Sequence, residues 1–255
     1  MKQIKFLQIA IIKTLILNFR ALPWRQAIKL PIVIYDKKYK LTSIGKIRIN
    51  TKVQYNLIEI GKGFFSNIGQ GEIMNSGTII FNGKCSILRG ALINNQGTIE
   101  LGSNSLIGEN LKVIIRSKLT IGKMTLLPFN SIIMDSSGHP VLNMETYTVN
   151  RFTKPIHIGD YCWIGNSSTI NGGTILPDYT IVTNRSLLNK DYAYLEKYSL
   201  IGGTPAKLIK NGQLKINKIS IWFSLLKKFD EDPNLSSINI SREIINYTPE
   251  DLSTY

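Results

Sequence analysis

From Lys154 to Lys210 the chain carries an aliphatic residue at every sixth position: Ile158, Ile164, Ile170, Leu176, Val182 and Leu188. A second series, four residues behind the first, holds only small side chains: Cys162, Ser168, Thr174, Thr180 and Ser186. One aliphatic and one small residue per hexad is the pattern of a parallel β-helix, in which short strands form flat faces and aliphatic side chains stack inside a prism.

Upstream the same beat runs in coils of twenty residues. Phe81, Leu101 and Ile121 are twenty apart, as are Ile87, Ile107 and Leu127, and Ile93, Val113 and Ile133. Three hexads and a two-residue corner account for each coil. The small series continues at Cys85, Ala91, Gly97, Ser105, Ser117, Thr125 and Ser131, with Leu111 as its exception. Similar tetrapeptides start at Ile58, Ile79, Ile99, Leu119 and Ile156, at intervals of 21, 20, 20 and 37 residues. Against a coil of twenty, the last interval carries 17 extra residues, which must leave the prism as a loop within residues 134–155. Loops on a rigid repeat are where chemistry concentrates, and this one holds His139.

Composition fits one extended core. The chain has 255 residues, 43% of them hydrophobic, and needs no second large domain. Its two cysteines, Cys85 and Cys162, both fall on the small inward series, so they read as packed thiols and supply no disulfide framework or cysteine metal site. With two histidines, a three-histidine metal site cannot be assembled, and no metal is expected.

Charge is uneven. Residues 1–54 hold twelve Lys or Arg and one acid, Asp36, which is +11 of the chain's +14. In the first thirty residues Lys5, Lys13 and Arg20 interrupt the apolar residues, so no stretch approaches the roughly 20 apolar residues of a spanning helix. The apolar run from Phe6 to Ile12 is short for a secretory signal, and no small-residue cleavage site follows. Two readings remain: a basic amphipathic helix on an anionic membrane surface, or a helix capping the prism. Nucleic acid is not expected, because no groove-reading motif or aromatic–basic interleaving accompanies the charge. The expected organisation is a basic helical leader over 1–54, a β-helix over 55–212 and an appendage over 213–255, with helical spacing from Ile219 to Phe229 before a polar, acidic tail.

From Gly138 through Trp163 to Asn189 the sequence resembles the galactoside and maltose O-acetyltransferases, and the capsule and lipopolysaccharide O-acetyltransferases, of the hexapeptide-repeat superfamily. GHP at Gly138, P-I-H-I-G before W-I-G at Trp163, I-N-G-G at Ile170 and N-K-D at Asn189 follow that pattern without a gap, and GGTPAKLIK resembles its closure. The resemblance is specific over residues 119–210. It implies a left-handed β-helix, a homotrimer with active sites between neighbouring prisms, acetyl-CoA as co-substrate along the later coils, and a sugar acceptor, lipid-linked or polymeric, beneath the loop. A cytoplasmic location is expected, with peripheral contact at the inner face of the membrane.

The chemistry agrees. Acetyl transfer from a thioester to a hydroxyl needs a base of near-neutral pKa and donors for an oxyanion, and histidine suits the first task. The resemblance makes His139 that base, whereas His157 should point outward from its strand. Asp135 is a candidate to orient the imidazole or bind a sugar hydroxyl, or else a turn residue. Trp163, Gly165, Asn166, Asn184, Asn189 and Lys190 stand where relatives bind CoA, Lys190 as a point charge on a phosphate. Two departures stand out: Thr183, Asn184 and Arg185 replace Gly-Ala-Gly, and an asparagine that holds the transition state falls on Gly108, leaving Asn110 as the candidate substrate contact. The alternatives are a nucleotide-sugar N-acyltransferase and a non-catalytic trimeric scaffold.

Overall fold

The computed structural model describes residues 9–63 and 69–240. It is mainly β, with three faces of parallel strands stacked into the prism of a β-helix. The first face runs through Ile32–Ile34, Ile58–Lys62, Cys85–Leu88 and Ser105–Ile107, crosses Leu126 by isolated bridges, and continues through Trp163–Ile164, Ile181–Val182 and Leu200–Gly203. The second runs from Lys40–Ser43 to Leu187–Leu188, and the third from Lys46–Ile49 to Ile175–Leu176. The aliphatic series is the core, with Ile158, Ile164, Ile170, Leu176, Val182 and Leu188 all buried.

Two kinds of coil share the prism. In the upstream coils, partners are twenty residues apart, as in Ile93↔Val113 and Leu101↔Ile121. Downstream they are eighteen apart, as in His157↔Ile175 and Thr169↔Leu187. The two additional residues lie at the corner between the second and third faces. There Gly77 and Gly97 stack backbone on backbone: a Cβ on Gly77 would come within 2.0 Å of the Gly97 carbonyl oxygen, and one on Gly97 within 2.1 Å of the Ser117 oxygen. Gly97 and Ser117 are therefore corner residues, not members of the inward small series. Upstream, the inward pairs of the third face are both apolar (Ile79 with Phe81, Ile99 with Leu101, Leu119 with Ile121). Downstream, Thr174 takes the first of these places and bonds to the Asn171 carbonyl at 2.8 Å. The tetrapeptide at Ile58 also differs from its apparent repeats: it lies on the first face, paired with Cys85, while the other four lie on the third.

Buried hydroxyls satisfy the corners. Thr125 donates to the Gly159 carbonyl at 2.7 Å and accepts from the Cys162 N–H, and Ser168 donates to the Gly165 carbonyl while accepting from the Ser186 N–H. The other corners place residues in the left-handed region, among them Asn110, Asn130, Ser167 and Arg185 on one edge and Asn104, Tyr161 and Tyr179 on another. Asparagine tolerates this backbone better than most residues.

The ends are closed differently. At the first coil, helix α1 (Ile11–Ala21) lies against the strand Ile32–Ile34 with the short α2 (Trp24–Ala27) packed on α1, and the buried ring of Tyr39 fills the interior, its hydroxyl donating to the Ala91 carbonyl at 2.7 Å. The strands over 32–49 pair with the next coil and so belong to the prism, although they lie within the segment that the sequence assigns to a leader. At the far end Leu200–Gly203 turns into the antiparallel strand Ala206–Lys210. A second unit starts at Leu214 and contains α3 (Ile219–Glu231), on the segment expected to be helical.

Candidate functional site

The excursion leaves from the corner where the two kinds of coil meet. Leu119 pairs with Ile156 across the 37-residue interval, so the extra residues do leave the prism there. They form a β-hairpin. Its root is a bridge between Ser136 and Thr153, closed by Ser137 N–H to the Phe152 carbonyl and Lys154 N–H to the Asp135 carbonyl at 2.9 Å. Leu142–Asn143 pairs with Thr148–Val149 near the tip, where the Asn143 side chain accepts from the Glu145 and Thr146 N–H groups, the turn chemistry that asparagine favours.

Asp135 holds that root. It is buried, and its two carboxylate oxygens accept the Arg116 N–H at 2.8 Å and the Ser117 N–H at 2.6 Å in the preceding coil. Upstream the same place belongs to Asn95, which accepts the Gly97 N–H and donates to Asn75. Asp135 is therefore a corner cap that fixes where the hairpin departs, and within one chain its oxygens are taken up by backbone and not by His139. This cap role stands beside the catalytic one expected from the sequence.

His139 sits on the exposed hairpin, after Gly138 with φ of +80° and open space around it. The Ser137 hydroxyl donates to the His139 carbonyl, and among the described residues the imidazole has no hydrogen-bond partner. His157 points outward between buried Ile156 and Ile158, as a strand requires. Beneath the hairpin lies an open cleft of about 270 Å³, lined by residues including Asp135, Ser137, Arg151, Lys154 and Asn171. The Asn171 amide oxygen is buried there without a hydrogen-bond partner. The repeat gives no sign of Arg151, Lys154 or Asn171 as site residues, because the cleft exists only once the hairpin folds back on its root.

The residues expected to hold CoA follow the later coils. Trp163 is 42% exposed on the first face. Asn166 and Asn184 occupy successive coils of the next edge, linked by Arg185 N–H to the Asn166 carbonyl at 2.8 Å. Gly165 between them is obligatory, since a Cβ there would approach the Asn184 nitrogen to 2.3 Å. Thr183 packs its hydroxyl over Gly202, which explains how a threonine fits where a glycine is usual. Asn189 and Lys190 are exposed beyond the second face, with the Lys190 ammonium 5.4 Å from the Tyr192 ring centroid. Asn110 lies on the same edge as Asn166 and donates to Asn130 at 3.3 Å. A side chain at Gly108 would meet the Pro128 carbonyl at 2.4 Å, so no asparagine fits there.

Within one chain the residues expected for the site fall on two edges. His139, the cleft and Lys190 lie where the second face meets the third; Asn110, Asn166 and Asn184 lie where it meets the first. Neither cysteine joins them: burial raises the thiol of Cys85 to about 11 and that of Cys162 to about 12. Among the described residues no cluster of metal ligands occurs.

No family model matches the chain. A galactoside O-acetyltransferase of Escherichia coli is 28% identical over 112 residues, which is 44% of this chain and 53% of the relative. A polysialic acid O-acetyltransferase of Escherichia coli is 26% identical over 129 residues, 50% of this chain and 41% of the relative. The crystal structure of the polySia-specific acetyltransferase NeuO aligns with a TM-score of 0.48 at 17% identity, over 75% of this chain and 100% of that one. The chain spans about half the length of the curated relatives it matches, and those relatives are sugar O-acetyltransferases.

Proposed function

We propose that this protein is an acetyl-CoA-dependent O-acetyltransferase that modifies a sugar hydroxyl of a capsule, exopolysaccharide or lipopolysaccharide unit, on the cytoplasmic side and peripheral to the membrane. The observation that carries the reading is the hairpin: it presents His139 as an exposed imidazole, and its root, fixed by the buried carboxylate of Asp135, lines an open cleft. In the proposed reaction His139 accepts the acceptor's hydroxyl proton as the oxygen attacks the thioester carbonyl. The resulting tetrahedral adduct collapses with breakage of the C–S bond, and the imidazolium returns the proton to the departing thiolate of CoA.

The division of the site between two edges supports a homotrimer in which each site is completed by a neighbour. So does the hairpin, whose Val141, Met144 and Tyr147 are 73%, 68% and 75% exposed and gain from burial against another copy. In this reading Trp163 packs on CoA, Gly165 lets the coils close beneath it, Asn166, Asn184 and Asn189 supply polar contacts, and Lys190 meets a phosphate. Asn110 faces the acceptor from the other copy. Arg151 and Lys154 give the cleft a positive lining that favours an acidic or phosphate-bearing sugar.

CoA binding is the test. Ligand at a hundred times its dissociation constant stabilises a protein by about 2.7 kcal/mol, enough to raise the melting temperature by several degrees. A CoA-dependent rise, reduced in Lys190→Glu, is expected; no rise at any concentration would leave the scaffold reading in its place.

A further inference from the structure

We infer that the outer face of α1 and α2 is a docking surface for an anionic lipid bilayer, which seats the prism on the membrane by its first coil. The sequence of α1 is amphipathic in an inverted sense. Its buried side is Thr14, Leu17 and Asn18. Asn18 accepts the Ile32 N–H and donates to the Ile32 carbonyl at 2.7 Å, Thr14 accepts the Ile34 N–H at 3.0 Å, and the Ala10 N–H donates to the Ile34 carbonyl. These bonds occupy the open edge of the first strand, the edge that would otherwise recruit another strand.

The opposite side of the helix is the apolar one. Ile11, Ile12, Leu15, Ile16 and Phe19 are 61%, 73%, 40%, 41% and 41% exposed. Trp24 and Ile28 extend the patch at 70% and 53%, and the Trp24 ring lies 5.2 Å from that of Phe19. A helix acting only as a cap would turn this side inward. Here polar side chains make the cap and leave the apolar side free.

Charge identifies the occupant. Arg20, Arg25 and Lys29 are exposed along the two helices, Lys37, Lys38 and Lys40 are exposed on the segment whose Lys37 and Tyr39 carbonyls Lys13 of α1 binds, and Asp36 is the one acid before residue 55. An apolar helix face rimmed by cations and carrying a tryptophan is the composition that lies in the interface of an anionic membrane. No helix among the described residues is long and apolar enough to cross one. Adjacent coils rise about 4.8 Å, so four coils place the hairpin root roughly 20 Å above the first coil. A lipid-linked acceptor would then present a sugar several units from its anchor. The inference deepens the peripheral placement proposed above, but its test needs no acetyl transfer and can fail independently.

The test is co-sedimentation of the full chain with phosphatidylcholine vesicles, with and without phosphatidylglycerol. Binding to the anionic vesicles is expected, with loss of tenfold or more in apparent affinity for Ile12→Glu/Phe19→Glu and a smaller loss for Arg25→Glu/Lys29→Glu. Trp24→Ala removes one exposed ring, so its melting temperature should hold while vesicle binding weakens. Equal binding to neutral vesicles, no binding, or variants that bind like the parent would overturn the inference. So would an oligomer that Ile12→Glu/Phe19→Glu dissociates in the absence of vesicle binding, since the face would then be covered by a second copy.

Discussion

The coils before the hairpin and those after it solve one packing problem in two ways. Upstream, a two-residue extension widens the corner between the second and third faces, glycines stack there, and both inward positions of the third face are apolar. Downstream, the corner is shorter, a threonine hydroxyl bonds within its own coil, and the prism narrows to eighteen residues per turn. The hairpin departs at this same corner, in the coil between the two kinds. The glycine ladder stops where the chain above it leaves: Gly97 must be glycine under Ser117, but Ser117 can carry a side chain because Asp135 caps it and the chain then turns out into the hairpin. A change of coil type therefore gives a place to insert a functional loop without breaking the stack.

The largest test of the difference is Leu119→Ala, which empties an inward apolar position of the wider coils and should cost about 3–4 kcal/mol, read as a drop in the urea midpoint. A loss under about 1 kcal/mol would mean that the wide coil is not tightly packed. Next comes Asp135→Ala. It leaves two backbone N–H groups without their acceptor and should cost about 2–3 kcal/mol, with Asp135→Asn recovering part of it. Gly97→Ala should cost about 2 kcal/mol because the next coil must move, whereas Ser117→Ala should change stability by less than about 0.5 kcal/mol. Similar losses in the two would show that the ladder does not end at Ser117.

Thr174→Val probes the narrow coil. It removes one buried hydrogen bond and should cost about 1 kcal/mol. The smallest effect concerns pH. Burial raises both thiols above the pH 8–9 range, so the thiolate is scarce there in the folded state and alkylation should be slow until the protein unfolds. Rapid labelling of folded protein at pH 8 would contradict the packing of Cys85 and Cys162.

Much of this was legible in the sequence, for a physical reason. A prism repeats its environment, so inward positions recur at fixed spacing, and the 37-residue interval marks the excursion without ambiguity. What the spacing could not reveal depends on contacts between coils. Gly97 looks like a small inward residue until the carbonyl above it is seen. Ile58 looks like the start of a coil until its partner is found on the first face. Asp135, read from its place before His139, could serve the imidazole or a turn, and its bonds to the N–H groups of the coil below are invisible to the spacing. The first strands were hidden because the interval from Ile47 to its partner Ile79 is 32 residues, too long to keep the beat.

The central claim is acetyl transfer with His139 as base, and free-thiol release from acetyl-CoA with a panel of sugars tests it directly. The account predicts release that an acceptor stimulates and that falls by about 10²–10⁴ in His139→Ala, with no change in melting temperature because the residue is exposed. Acceptor-stimulated release that persists in His139→Ala would contradict it.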